Sequence, residues 1–239
     1  MSSKFTVSNH LEELRKRVIL ILIFYIISVG AAYFFVDEVL SFLQRPIGRL
    51  IFIMPFELFI TRIKLSLFMG FLLLFPFIML QVRLYVLPAL DKQSRALLGL
   101  LLLCSIILFY SGIIIAYTLF LPSVLRVLLM FATNELVAMI TVSRYVSFIS
   151  VFLLCFGFIS LIPIGVLFVT KSGLVEMKFL KSQRKYIWLF SFIIAAILSP
   201  PDAITQILVA VPVICLFELS ILISGISRYN KKINLNSEV

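Results

Sequence analysis

The chain has 239 residues, of which 62% are hydrophobic and 13% charged, with a formal net charge of +10. Soluble globular domains are about 45–50% apolar and about 25% charged, so this composition excludes a water-soluble enzyme or binding domain. Several runs approach or exceed the roughly 18 apolar residues of a membrane-spanning helix, and the short alternating segments of a membrane barrel are not visible. The chain therefore reads as an all-α membrane protein, a single polytopic domain over 1–239 with no internal repeat.

The first run predicts a span at about 18–36, ended by Asp37 and Glu38. It is longer than a signal-peptide core of about 7–15 residues, so it reads as a retained helix rather than a cleaved leader. The second span is about 66–87 with Pro76 inside, the third about 97–121 closed by Pro122, and the fourth about 148–170 with Pro163 inside. Pro200, Pro201 and Asp202 then form a turn that a helix cannot run through. That turn divides the last apolar stretch into spans of about 187–199 and 205–224. The fifth span is only about 20 Å long, short for a bilayer core of about 30 Å. The connections 37–65 and 122–147 are long yet apolar, which predicts short amphipathic helices lying on one membrane face.

Six spans put both termini on one side. That side carries fourteen Lys and Arg outside the spans, against six on the other. Counting only Lys and Arg, both termini face the cytoplasm or its organellar equivalent. The bases flank apolar runs and form no stripe on a soluble domain, so nucleic acid is not an expected partner; the bilayer is. Cys104, Cys155 and Cys215 fall within apolar runs and read as small buried hydrophobes. His10 is the sole histidine. No metal-ligand cluster, catalytic triad or phosphate loop is present, so neither an enzyme nor a cofactor is expected.

Polar groups inside the spans are candidate functional residues by default. Glu218 lies in the sixth span, and a charge at a helix centre costs about 2.5–3.5 kcal/mol on the insertion scale. It is expected to face protein, water or its own proton, or to bond a neighbouring helix near the interface. Gln81 and Gln206 read as interhelical hydrogen-bonding residues, and Arg83 as a snorkelling base. Pro76, Pro163 and Pro212 each remove a backbone hydrogen bond, which predicts kinked helices whose freed carbonyls need other partners. Glu12 and Glu13 stand with Arg15, Lys16 and Arg17 at the start of the first span. By helix electrostatics alone, the acids favour a helix N-terminus by about 0.3–1 kcal/mol.

Four stretches, "HLEELRKR" at 10–17, "FPFIMLQVRLYVLPAL" at 75–90, "AYTLFLP" at 116–122 and "SPPDAITQILVAVPVICLFELSI" at 199–221, occur in an order and spacing that cover nearly the whole chain. Together they resemble the TatC family, the polytopic core of the twin-arginine protein translocase. The resemblance implies a concave, glove-like bundle of six helices with short last spans and both termini inside. It implies a non-enzymatic receptor for signal peptides bearing an Arg-Arg pair. That receptor would work with other copies of itself and with single-span TatA/TatB-type proteins, moving folded cargo by the proton-motive force.

In that reading Glu13 helps receive the paired arginines, because a carboxylate accepts a guanidinium through parallel hydrogen bonds that Lys cannot reproduce. Arg15 and Arg17 orient the helix and hold carboxylates or lipid phosphates. Tyr85 and Pro88 match the end of the second span together with Gln81. Pro46 matches the first outer loop, Tyr117 the motif closing the third span, and Asp202 and Gln206 the last outer turn. Glu218 matches the family's sixth-span acid, while Asp202 is equally an ordinary helix N-cap.

Two positions depart from the family pattern. Ser94 and Leu161 stand where glutamates are usual, and Asp91 is expected to supply part of the missing charge in the first inner loop. These losses suggest a relaxed substrate set, as in an organelle exporting few proteins, and the residue usage fits an AT-rich organellar genome. The "SPPD…Q" turn resembles proteobacterial and mitochondrial members more than plastid ones, so a mitochondrial inner membrane or a bacterial plasma membrane is expected before a thylakoid. Two alternatives from other classes are a small-solute or ion transporter using Glu218 and Gln206 near the outer half of the bilayer, and a ligand-free subunit of a respiratory or assembly complex.

Overall fold

The structure, a computed structural model, describes residues 7–48, 50–87, 92–130, 140–171, 175, 177–198 and 203–236. These form ten α-helices: α1 Val7–Tyr33, α2 Val36–Gln44, α3 Pro55–Val86, α4 Lys92–Ile115, α5 Leu121–Leu129, α6 Val142–Ile159, α7 Ile162–Lys171, α8 Met177–Ser182, α9 Arg184–Leu198 and α10 Ala203–Asn236. Among the described residues the one β contact is an isolated parallel bridge between Ile51 and Thr141.

Five apolar segments are long enough to cross a membrane: Glu12–Tyr33, Pro55–Val86, Leu98–Val127, Val142–Lys171 and Ala203–Gly225. They correspond to five of the six expected spans. The sixth expected span falls on α9, whose 15 residues reach about 22 Å, less than a bilayer core of about 30 Å. At 32 residues, α3 extends about 48 Å, well beyond a core of about 30 Å. Its N-terminal part, with Glu57, Arg62 and Lys64, therefore stands outside the expected 66–87 span. Pro55 opens α3 in its first turn, where a missing N–H costs nothing.

The prolines act less uniformly than the sequence suggests. Pro76 lies inside α3 and Pro212 inside α10. Pro163 instead follows a break at Ser160 and Leu161, so the fourth span is two helices, α6 and α7. Pro122 does not close the third span. A π-helical turn, Ala116–Phe120, joins α4 to α5, and Pro122 falls in the first turn of α5. The wider turn takes up the register change that a proline lacking its N–H imposes, and the helix continues to Leu129. Of the expected amphipathic connecting helices α2 is observed, whereas α5 continues the third span. In α2, Val36 and Leu43 are buried while Asp37 and Glu38 face outward. The Pro200–Asp202 turn lies outside the described residues.

Packing divides the chain into two units, Met1–Ile106 with Met139–Ser150, and Ile107–Ala138 with Val151–Val239. In the first, α1 lies against α3. Gly70 makes the close approach possible: a Cβ there would sit 2.5 Å from Val29 Cγ2 and 3.0 Å from the Val29 Cα and N. Phe24 stacks on Phe77 at 4.3 Å, and the Tyr25 hydroxyl donates to the Leu67 carbonyl at 3.1 Å. Near the start of α3, Arg62 donates through one nitrogen to both oxygens of Asp37 at 2.7 and 2.9 Å, and the buried Tyr145 hydroxyl donates to the Leu43 carbonyl at 2.7 Å. Glu57 accepts the N–H of Ile53 at 3.0 Å and of Ser143 at 3.2 Å. These donors, Ile53 first, hold its carboxyl below the usual range.

In the second unit, α10 packs on α5, α7, α8 and α9 and buries Val209, Ala210, Val213, Phe217 and Ile221. Two glycines interlock the helices. A Cβ on Gly112 would fall 2.7 Å from the Ser160 Cβ, and one on Gly157 would fall 2.7 Å from the Phe109 ring. Small residues at such contacts let apolar helices approach where no hydrophobic force separates lipid from helix.

Candidate functional site

Three candidate residues of the first unit, Glu13, Arg17 and Gln81, meet where α1 begins and α3 ends. Glu13 and Arg17 are one helical turn apart and share a face of α1. Arg17 donates through Nε at 3.2 Å and through Nη2 to a single oxygen, Glu13 Oε1. Its third edge is used as well: Nη1 donates to Gln81 Oε1 at 3.1 Å, across to α3. One guanidinium is thus held by two acceptors from two helices, and it joins the start of the first span to the end of the second. Among the described residues no donor reaches Glu13 Oε2.

The neighbouring pair differs. Lys16 bonds Glu12 at 2.9 Å with both side chains more than half exposed, whereas Arg17 retains 20% and Glu13 37% of side-chain exposure. Adjacent positions on a helix face about 100° apart, so Glu12–Lys16 turns outward and Glu13–Arg17 turns toward α3. The first is a screened surface pair worth little. The second is partly shielded, and there a charge-assisted hydrogen bond is stronger. Arg15 is exposed.

Tyr85, four residues past Gln81, is half-buried on the same face of α3. Arg83 is exposed, and its guanidinium lies beside Gly99 on α4, 3.6 Å from where a Cβ would stand. Pro88 and Asp91 lie outside the described residues, as does the side chain of Ser94. Pro46 sits half-buried in the turn after α2, where Gly48, at φ +83°, returns its N–H to the Gln44 carbonyl at 2.9 Å. That left-handed conformation is one glycine adopts freely.

The second unit holds the other candidates. Tyr117 is half-buried in the π turn, and Leu161 is half-buried between α6 and α7. Gln206 donates to the Phe192 carbonyl at 3.1 Å, pinning α10 to α9. Glu218 accepts from Arg184 Nη2 at 2.7 Å. Of the readings open from sequence, the interhelical bond is the one observed. Arg184 was not among the candidate residues, although an acid inside a span calls for a base and Arg184 begins the adjacent helix. Gln206 and Glu218 are twelve positions apart, about 18 Å along α10, and each has its own partner on α9. They do not meet at one level as the transporter alternative requires. Asp202 lies outside the described residues. Among the described residues no group of His, Cys, Asp or Glu could hold a metal ion.

Comparison with known proteins extends this picture. The family description "Sec-independent protein translocase protein (TatC)" matches residues 9–212. The Sec-independent protein translocase protein TatC of Carboxydothermus hydrogenoformans is 36% identical over 224 residues, 92% of each chain. That of Aquifex aeolicus is 35% identical over 233 residues, 94% of this chain and 97% of the relative. A crystal structure of the twin arginine translocase receptor TatC in DDM superposes with a TM-score of 0.81 at 36% identity, covering 90% of this chain and 99% of that one.

Proposed function

Since the chain belongs to the TatC family of Sec-independent protein translocase proteins, we propose that it is the membrane receptor for signal peptides carrying an Arg-Arg pair, and the scaffold on which folded cargo is passed across the membrane. The observation that carries this reading is the Glu13 carboxylate. It is partly shielded, set at the entrance of an apolar helix, and already bonded to a guanidinium. A carboxylate so placed recognises the fork of an arginine rather than a charge alone. Tyr85 sits on the same face as Gln81 and offers an aromatic surface beside the site. Arg15, exposed next to it, orients the helix end and meets lipid phosphate. Asp91 adds a second carboxylate in place of the family glutamate replaced by Ser94.

The finer assignments follow from charge and family. Both termini lie on the inner side of a bacterial plasma membrane or a mitochondrial inner membrane, and the whole chain is one polytopic domain. It works with further copies of itself and with single-span TatA/TatB-type proteins. It carries no catalytic step, and the proton-motive force drives the passage. Pro46, Pro88, Tyr117, Asp202 and Gln206 serve the shape of the scaffold, and Glu218 fastens the last two helices through Arg184.

The test is photo-crosslinking from position 13 to an Arg-Arg signal peptide in membranes holding the full chain. A crosslink that weakens when the pair becomes Lys-Lys supports the reading. A folded protein that transports cargo normally as Glu13→Gln refutes it.

A further inference from the structure

The receiving carboxylate is occupied. Arg17 spends three N–H groups on it and on Gln81: Nε and Nη2 on Glu13 Oε1, and Nη1 on Gln81 Oε1. An incoming arginine would make the same bonds to the same acceptors, so guest and resident compete. The geometry also provides a way in. Both Glu13 bonds end on Oε1, leaving Oε2 without a donor among the described residues, on a side chain that is 37% exposed. The resident is the more enclosed partner, at 20% exposure.

Resting on the reading of Glu13 given above, we propose that Arg17 is a built-in occupant of the receptor, and that signal-peptide binding is an exchange of one guanidinium for another. A guest arginine docks first on the open Oε2 of Glu13. It then takes over Oε1 and Gln81 Oε1 as Arg17 swings out toward water. No covalent bond changes and no net charge is created at the site, because one cation replaces another. The resting carboxylate is never left unpaired at the membrane boundary, where an unpaired charge is costly.

Gln81 follows as a specificity-determining residue. The two acceptors meet different edges of the guanidinium, Glu13 the Nε/Nη2 edge and Gln81 the Nη1 end. An ammonium group is a compact point charge with no second edge. Glu13 takes the Nε/Nη2 edge of the fork, and Gln81, by accepting the further Nη1 proton, widens the preference for a guanidinium over an ammonium.

The experiment is equilibrium binding of fluorescent Arg-Arg and Lys-Lys signal peptides to the full chain in lipid nanodiscs. Arg17→Gln removes the competitor and is expected to bind the Arg-Arg peptide about three-fold more tightly, the scale of one partly exposed ion pair. Should that variant fail to fold, Arg17→Lys, which keeps the charge and loses the fork, carries the same expected direction. Gln81→Leu is expected to narrow the Arg-Arg preference over Lys-Lys about five-fold, the size of one net hydrogen bond. Unchanged or weaker Arg-Arg binding by the Arg17 variants overturns the exchange. An unchanged Arg-to-Lys ratio in Gln81→Leu overturns the role of Gln81. Glu13→Gln separates the two levels. If it loses affinity while the Arg17 variants gain none, the exchange alone fails; if it keeps full affinity, the receptor reading fails with it.

Discussion

Substituting Gly70 by alanine tests the joint on which the α1–α3 site depends. The added Cβ would lie 2.5 Å from Val29 Cγ2 and 3.0 Å from both Cα and N of Val29. Ordinary carbon contacts are about 3.5–4.0 Å. A rotamer change of Val29 relieves the first clash but not the other two, which involve backbone, so the helices must part by about 0.5–1 Å. Overpacking of this kind typically costs about 1–3 kcal/mol. Unfolding in mixed micelles, followed by the fluorescence of the sole tryptophan, Trp188, or by steric trapping of α1 against α3, measures it. Val29→Ala in the same chain removes Cγ2 and leaves the backbone atoms, so it should return less than half of the loss. Wild-type stability for Gly70→Ala, or full rescue by Val29→Ala, would show that the backbones do not approach as described.

Three further outcomes follow from single contacts. Tyr145→Phe removes the donor to the buried Leu43 carbonyl and should cost about 1–3 kcal/mol in the same unfolding assay, because that carbonyl loses its partner. The Glu57 carboxyl is held below its ordinary value of 4.5 by the N–H groups of Ile53 and Ser143. A depressed folded-state value means that its contribution is present above that ordinary value and is lost as pH falls through the folded one. Glu57→Gln should therefore flatten the acid limb of stability measured between neutral pH and pH 3. Reversing the pair 184/218, by Arg184→Glu with Glu218→Arg, should restore much of what either single change loses, read as the coupling term of a double-mutant cycle.

The parts of the fold set by local pattern were legible in the sequence. Long apolar runs marked the spans, and Glu13 and Arg17 stand at a spacing that a helix turns into a contact. Contacts closing over a distance were not. Gln81 is 64 positions from Arg17 and Glu218 is 34 from Arg184; a single chain records that each polar group needs a partner, not which one. Pro122 was read too simply as a stop. At Pro122 the lost N–H is absorbed by one wider turn, Ala116–Phe120, whose last residue stacks on Phe156; composition carries no mark of it. The third span consequently extends through α5.

The glycine contacts of the second unit have a mechanical consequence. Gly112 fits against Ser160 while Gly157 fits against Phe109, so each helix is both notch and tooth for the other. Slipping by one turn, about 5.4 Å, would bring Leu108 or Ala116 to the place of Gly112 and Leu153 or Leu161 to that of Gly157, and neither tooth would then seat. This pair is a spline that resists sliding, so a shear of the second unit along this seam must first unseat both glycines.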